Sequence, residues 1–532
     1  MKPNMPEQLL LKKANLFPLG DIPPGADALL IRDGRIASMG RTRAMSKALD
    51  PSARTIDLRG RTVLPGFIDS HVHLAETGLL RQGLDLSPAR HIGEVLEMLS
   101  GAFPDRQHPG FFRAHSFDPS LMREGRYPTR EELDAISSRV PIFIVRRDGH
   151  SCAVNTAFLR HCPLSPETPG MELVPGTGQI SGILRAEALE RAQACRHRLM
   201  GSEDRMEAMR QACHQALRRG VTTLHAVCGR VEDIALLGRL RRELPLEVVP
   251  YPNVADPEMV IDRRWPRMGG DILVDGSFGS HTAALMEPYA DRPGESGLLY
   301  LTCRQLVELI GPAHNAGLQV SLHAIGDRAI EELLAAYGKV FGDHPRENAR
   351  HRIEHAELLH SDQIERIARW GIILAVQPAF EAFWGGHDGM YACRLGPERV
   401  NRTNPFRELV DAGIHLAGGS DSPITPIDPL AGVAAAVVHP NPQQRLSVVE
   451  AVSLFTAGGA RAAFQEQDRG LLREGQRADL VVLSRDPRQT AAADIGQIPI
   501  HMVISGGRIA VGEGEPDGDP AREGADAPAD KK

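Results

Sequence analysis

The stretch PGFIDSHVHL, residues 65–74, ends an apolar run with His71 and His73, two imidazoles separated by a single residue. On a β-strand alternate side chains share a face, so the two rings point the same way, about 7 Å apart along the strand. Two imidazoles on one face form a chelating pair for a divalent metal. The chain holds 21 histidines in 532 residues. Chance alone yields about 0.8 pairs at this spacing, so the pair gains meaning only from partners elsewhere. Residues of the same chemistry, His225, His323, His355 and Asp421, each stand at or near the end of another apolar run. Imidazoles with one carboxylate suit zinc, with manganese, iron or cobalt as alternatives. Taken singly, each histidine reads more readily as a satisfied core or surface residue; their common placement is what points to a site.

The elements that must position them alternate apolar, strand-like runs with helical stretches, the pattern of a parallel α/β domain. The runs TVLPGFID, VTTLHAV, LEVVPY, DILVDG, LQVSLH, RIEHA, IILAVQP and IHLAGGSD number eight, as a closed (β/α)8 TIM barrel requires, and such a barrel carries its chemistry at the C-terminal strand ends. The first strand falls in 63–84 and the remainder of the barrel in 206–465. Between them, 85–205 is too long for one connection and is expected to be an inserted subdomain over the barrel mouth, with a further strand at 140–150. Short strands punctuated by glycine turns fill 1–62 and return in 466–512, so the two chain ends are expected to build one composite β-sandwich. The last stretch, 513–532, is Pro, Gly, Ala and charge and is expected to be a disordered tail.

Composition narrows the partners. Hydrophobic residues at 42%, charged residues at 24% and a net charge of −7 describe a globular chain without a basic face for nucleic acid. The opening MKPNMPEQLLLKKANLF shows neither a signal h-region nor a membrane span, which predicts a soluble, cytoplasmic protein acting on a small molecule. Seven cysteines form no CxxC pair and are expected to be reduced and mostly buried. Nothing in the sequence decides between a monomer and a homodimer. PGTGQISG lacks dinucleotide-binding spacing, GGSDSP lacks a nucleophile elbow, and EHAELLH is not a zincin helix.

In chain order, LPGFIDSHVHL, DILVDGSFGSHTAAL, LHAIGDRAIEELL, RIEHAELL and LAGGSDSPI resemble the amidohydrolase superfamily, and within it the YtcJ-like branch that includes N-substituted formamide deformylases. The resemblance spans about residues 8–512. It implies a metal-bearing barrel, a β-sandwich from both chain ends, and hydrolysis of amide-like C–N bonds by metal-activated water. It also implies His71, His73, His323 and His355 as metal ligands, with Asp421 as ligand and proton acceptor that later protonates the leaving amine. His355 is a candidate donor to the oxyanion, and His150, in RRDGHSCAVN, matches an element that faces substrate. One position departs. Asp271 stands where relatives carry a lysine that, in the wider superfamily, is carboxylated to bridge two metals. An aspartate is shorter and cannot be carboxylated, which points to one zinc held by His71, His73, His323 and Asp421; two ions bridged by Asp271 or Glu187 are the alternative. Other chemistries on the same scaffold are deamination, metal-dependent isomerisation, and a non-enzymatic binding or regulatory role.

Overall fold

Eight short runs rich in Val, Ile, Leu and Ala form parallel strands: β1 Phe67–Val72, β2 Val221–Cys228, β3 Glu247–Pro252, β4 Arg267–Leu273, β5 Gln319–Ala324, β6 Arg352–His355, β7 Ile373–Val376 and β8 Leu416–Gly418. The computed structural model describes residues 8–47, 49, 53–81, 83–103, 111–146, 151–162 and 164–512; His150 and the tail 513–532 lie outside the described residues. Six of the eight strands, all but β3 and β4, are buried at every position. Covering both faces removes the alternation that marks a half-solvated strand. β1 pairs with β2 and β2 with β3, while β4 to β8 pair in sequence order, every pairing parallel. β3 and β4 adjoin at one seam. At the other, Asp421 N donates to His71 O at 2.8 Å, Ser420 N donates to Asp69 Oδ1 at 2.9 Å, and Val72 bridges Ser422.

Helices separate the strands. In Asp327–Asp343 the buried Ile330, Leu333, Leu334 and Tyr337 recur every three to four residues, so one apolar stripe faces inward. Ser361–Trp370 stops at Gly371, whose φ of 62° is the left-handed conformation glycine adopts without a Cβ penalty.

Both chain ends contribute to one sheet. Thr62–Pro65 pairs antiparallel with Leu480–Leu483, which pairs with Ile500–Ser505, and that with Arg508–Val511. A second sheet holds Arg35–Gly40, Ala28–Arg32, Gln8–Lys12 and Arg54–Asp57 in that order. Leu9, Leu11, Leu29 and Ile31 from the second sheet share a core with Val63, Leu480, Val482 and Ile504 from the first. The run TVLPGFID therefore divides at Gly66: its first half belongs to the sheet of the chain ends and its second half is β1. β4 also starts earlier than the run DILVDG suggests, at Arg267, with Met268 and Ile272 flanking a register shift.

By its internal contacts the chain divides into two units, one of residues 1–72, 214–229 and 243–532, the other of 73–213 and 230–242. The second unit is built on a six-stranded mixed sheet in the order Met171–Leu173, Ile180–Arg185, Ser151–Val154, Ile142–Arg146, Phe112–Phe117, Leu84–Asp85. Apolar clusters cover both faces, one around Phe143, Phe158 and Leu184, the other around Phe112, Phe117 and Ile144. Cysteines 152, 162, 195, 213 and 228 are buried, Cys303 partly so, and Cys393 is exposed. No described helix is long and apolar enough to cross a membrane.

Gly419 makes the β8–β1 seam tight: a Cβ there would stand 2.7 Å from His71 N and 2.9 Å from His71 Cβ. Gly419→Ala is expected to destabilise the fold by about 1–3 kcal/mol through overpacking against backbone. A denaturant midpoint unchanged from wild type would remove this account of the seam.

Candidate metal centre

The ends of β1, β5, β6 and β8 converge with Asp271 of β4. Asp271 Oδ1 lies 3.4 Å from His323 Nδ1, 3.5 Å from His355 Nε2 and 3.9 Å from His71 Nε2. Asp421 Oδ1 lies 3.3 Å from His71 Nε2. All of these residues are buried, with only 12% of the Asp271 side chain exposed. Two triads whose donor atoms all fall within 4.8 Å of one another are His71, His355, Asp421 and Asp271, His323, His355.

What each ring does with its other nitrogen fixes what it presents to this cluster. His71 Nδ1 lies 2.6 Å from Glu354 Oε2, His355 Nδ1 lies 2.8 Å from Gln377 Oε1, and His323 Nε2 lies 3.2 Å from Gly276 O. All three partners are acceptors, so those nitrogens carry the N–H and each ring turns a lone pair toward Asp271 and Asp421. Hydrogen bonds of this kind are how proteins hold metal-binding histidines in one tautomer. Lone pairs facing carboxylates repel unless a cation stands between them. The spacing fits that role, because two donors about 2.1 Å from a tetrahedral ion are about 3.4 Å apart. Protons can take the place of the cation on these nitrogens. Burial pushes His323 down, but Asp271 outweighs it and lifts the ring to about 9. Burial likewise opposes charge on His71, and Asp421 and Glu354 overcome it to raise the ring well above its usual range. Asp271 would be raised by burial, and the rings of His323 and His355 hold it far below the carboxylate range instead.

Asp421 and His355 have left-handed backbone, with φ of 56° and 71°. The turn that aims Asp421 is held by its N–H on His71 O and by Ile424 N donating to Asp421 O at 2.8 Å. Asp275, four residues beyond Asp271, accepts backbone N–H groups from Ile325, Gly326 and Ala284 at 2.8–3.0 Å and so anchors the loop that follows His323.

Of the residues singled out in the sequence, His71, His323, His355, Asp421 and Asp271 are brought together. Asp271 stands at the centre rather than the edge: its Oδ1 faces nitrogens of three rings. His73 follows β1 directly and is the first residue of the second unit. Glu187 is not among the clustered residues; it is half-exposed and pairs with Arg191 at 2.5 Å, four residues along its helix. His225 is buried against Arg352, with Nη1 donating to Nδ1 at 3.1 Å, and burial and that guanidinium keep it well below its usual range. Sequence reasoning missed the roles of Glu354 and Gln377. The signal for Glu354 is RIEH itself, in which a fully buried strand carries an arginine and a glutamate two residues apart and therefore on one face.

A model of the amidohydrolase family matches residues 54–511. The chain belongs to the amidohydrolase family. This amidohydrolase is 30% identical over 525 residues to YtcJ of Bacillus subtilis (strain 168), a protein named as an amidohydrolase, covering 91% of this chain and 95% of the relative. It is 26% identical over 517 residues to the N-substituted formamide deformylase of Arthrobacter pascens, covering 89% and 93%. The solved structure of an uncharacterized metal-dependent hydrolase from Pyrococcus horikoshii OT3 superposes with a TM-score of 0.78 at 29% identity, covering 91% of this chain and 99% of that one. The amidohydrolase thus shares the overall mixed α/β fold of that hydrolase.

Glu354→Gln keeps the shape but weakens the acceptor opposite His71 Nδ1. Metal affinity, titrated against a competing chelator, is expected to fall 10- to 100-fold; an unchanged affinity would show that Glu354 does not orient the ring. A second expectation concerns Glu381, buried beyond β7, where Oε1 accepts from Asn404 Nδ2 at 2.9 Å. Burial raises this carboxyl to about 7. The folded state then holds a proton that the unfolded chain loses near pH 4.5, so stability declines as pH rises from about 4.5 to about 7. Thermal unfolding across that window is expected to show a shallower decline in Glu381→Gln; identical slopes would contradict the buried, proton-holding role.

Proposed function

We propose that the protein is a metal-dependent hydrolase that cleaves a non-peptide C–N bond, an amide or N-substituted formamide, in a small molecule. The observation that carries this reading is the commitment of the far nitrogens of His71, His323 and His355 to acceptors, which leaves three lone pairs and two carboxylates facing one another. The eight parallel strands are read as a closed (β/α)8 barrel, with residues 85–205 as the insertion and the sheets of 1–62 and 466–512 as the sandwich. Zinc is the expected ion, and the protein is expected to work in the cytoplasm. His73, one residue past β1, is proposed as a further ligand, and His150 as a substrate contact.

His71 and His323 belong to different triads and Asp271 Oδ1 approaches both, so these residues would have donors enough to hold two ions rather than one. His71, His73 and Asp421 would hold one, and His323 and His355 the other. Asp271 then stands where relatives place a longer bridging side chain.

A bound divalent ion supplies acidified water and positive charge for the developing oxyanion. Asp421 is the base: its Oδ1 reaches the cluster edge from a turn fixed by backbone hydrogen bonds, takes the proton of the attacking water, and returns it to the departing amine nitrogen. Glu354 holds His71 from below, so the ring cannot rotate as charge shifts. Gln377 does the same for His355, whose Nε2 therefore offers an electron pair rather than a proton, which favours a ligand's role over an oxyanion donor's.

The test is a panel of N-substituted formamides and simple amides scored for amine release, beside amino-heterocycles scored for ammonia. The metal-loaded enzyme is expected to release amine, and Asp421→Asn to retain the fold while losing about 10³-fold or more in kcat. Ammonia release alone would move the assignment to a deaminase. Elemental analysis is expected to find close to two ions per chain, and close to one in Asp271→Ala; one ion in both would place Asp271 outside the coordination sphere.

A further inference from the structure

The second unit carries a buried cationic cluster that the hydrolytic chemistry leaves unused. Arg205 is satisfied: Nε donates to Asp233 Oδ1 at 2.7 Å and Nη2 to Oδ2. Arg196, on helix Ala186–Leu199, donates from Nη2 to Glu76 Oε2 at 3.3 Å and lays its guanidinium over the Phe143 ring at 5.6 Å. Arg113 differs from both. It lies on the strand Phe112–Phe117, where it is the register partner of Phe143 on the neighbouring strand, and its Nε and Nη1 are buried without a hydrogen bond. The charges that bear on it are Arg196, which repels, and Glu76, whose carboxylate already engages Arg196. Burial and Arg196 bring the guanidinium down to about 9, which leaves it cationic at neutral pH.

A guanidinium withdrawn from water and given no acceptor is costly to fold, because its hydration is lost without replacement. The charges around it are matched, Arg196 with Glu76 and Arg205 with Asp233, whereas among the described residues none accepts a hydrogen bond from Nε or Nη1 of Arg113. An aliphatic side chain would fill the same space without that cost. What Arg113 offers instead is a set of undischarged N–H donors beside a second guanidinium, the arrangement that recognises a planar or tetrahedral oxyanion.

We propose that Arg113, flanked by Arg196, is an anion-recognition site of the second unit that takes a carboxylate or phosphate group. The ligand completes the charge balance of the cluster and so stabilises the fold. Two sources share this chemistry, a free small anion and an anionic substituent on the substrate; the second rests on the hydrolase reading, the first does not.

The experiment is thermal unfolding of the full chain in sodium phosphate and sodium acetate against sodium chloride at matched ionic strength, for wild type, Arg113→Met and Arg113→Gln. Wild type is expected to gain about 2 °C or more, saturably, with phosphate or acetate. Both variants are expected to lose that gain and, in chloride, to unfold no lower than wild type, because an unmatched charge has been removed. The proposal is overturned if wild type shows no saturable gain, if the variants keep it, or if both variants are destabilised in every salt. Turnover of a neutral amide and its carboxylate-bearing analogue then separates the sources. A fall in kcat/KM confined to the anionic analogue in Arg113→Gln assigns the group to the substrate, and equal kcat/KM with the anion-dependent gain lost assigns a free anion. The unfolding measurement stands by itself if neither amide is hydrolysed.

Discussion

Beneath the cluster lies a buried ion pair on which its geometry depends. Arg352, fully buried, donates from Nε and Nη2 to the two oxygens of Glu354 at 2.8 Å each, and from Nη2 to Ser70 O at 2.8 Å. Its guanidinium lies 4.3 Å from the Tyr251 ring centre. Ser321 Oγ donates to the same carboxylate, and His71 Nδ1 does so from the other side. Burial raises Glu354, and Arg352 with His71 outweighs it to keep the group ionised. A buried pair is poor evidence for net stability, since desolvation offsets attraction, but removing one partner strands the other at about 3–5 kcal/mol. Strands β1, β5 and β6 therefore meet at a single carboxylate, with β3 reaching its arginine partner through Tyr251, and the orientation of His71 is a by-product of satisfying it.

Above that pair, three residues at the strand ends, His355, Ala356 and Asp421, have positive φ without being glycine. Such backbone costs of order 1 kcal/mol or more per residue and persists only where the surroundings dictate it. Here the dictation is visible: Ala356 N donates to Ala324 O and Asp421 N to His71 O. The chain accepts local strain so that two side chains turn back over the ends of their own strands.

Much of this was legible in the sequence because burial and chemistry share a period. His71, His323, His355 and Asp421 each close an apolar run, and those runs are strands. β4 was harder, since Gly269 and Gly270, with φ of 99° and 55°, interrupt its hydrophobic pattern just where the register shifts. That shift is why Asp271, read as a departure from its relatives, sits at the centre of the cluster. Glu354 was invisible as a functional group because its neighbour His355 carried the recognisable chemistry. The sheet of the second unit was read only at Ile142–Arg146, the strand with a continuous apolar run; Met171–Leu173 and Leu84–Asp85 are two or three residues long and leave no periodicity to detect.

The antiparallel pairing of Thr62–Pro65 with Leu480–Leu483 joins segments about 400 residues apart. A ribosome adding 5–20 residues per second needs roughly 20–80 s to make the second segment after the first. Throughout that interval Thr62–Pro65, all four residues of which end up buried, has no partner on that edge. Because β1 begins two residues later, the first histidine of the cluster is tethered to a strand still waiting for its mate. Assembly of the histidine and aspartate cluster is thus coupled to completion of the polypeptide, and a truncated nascent chain carries those residues without the strand pairing that positions the first of them.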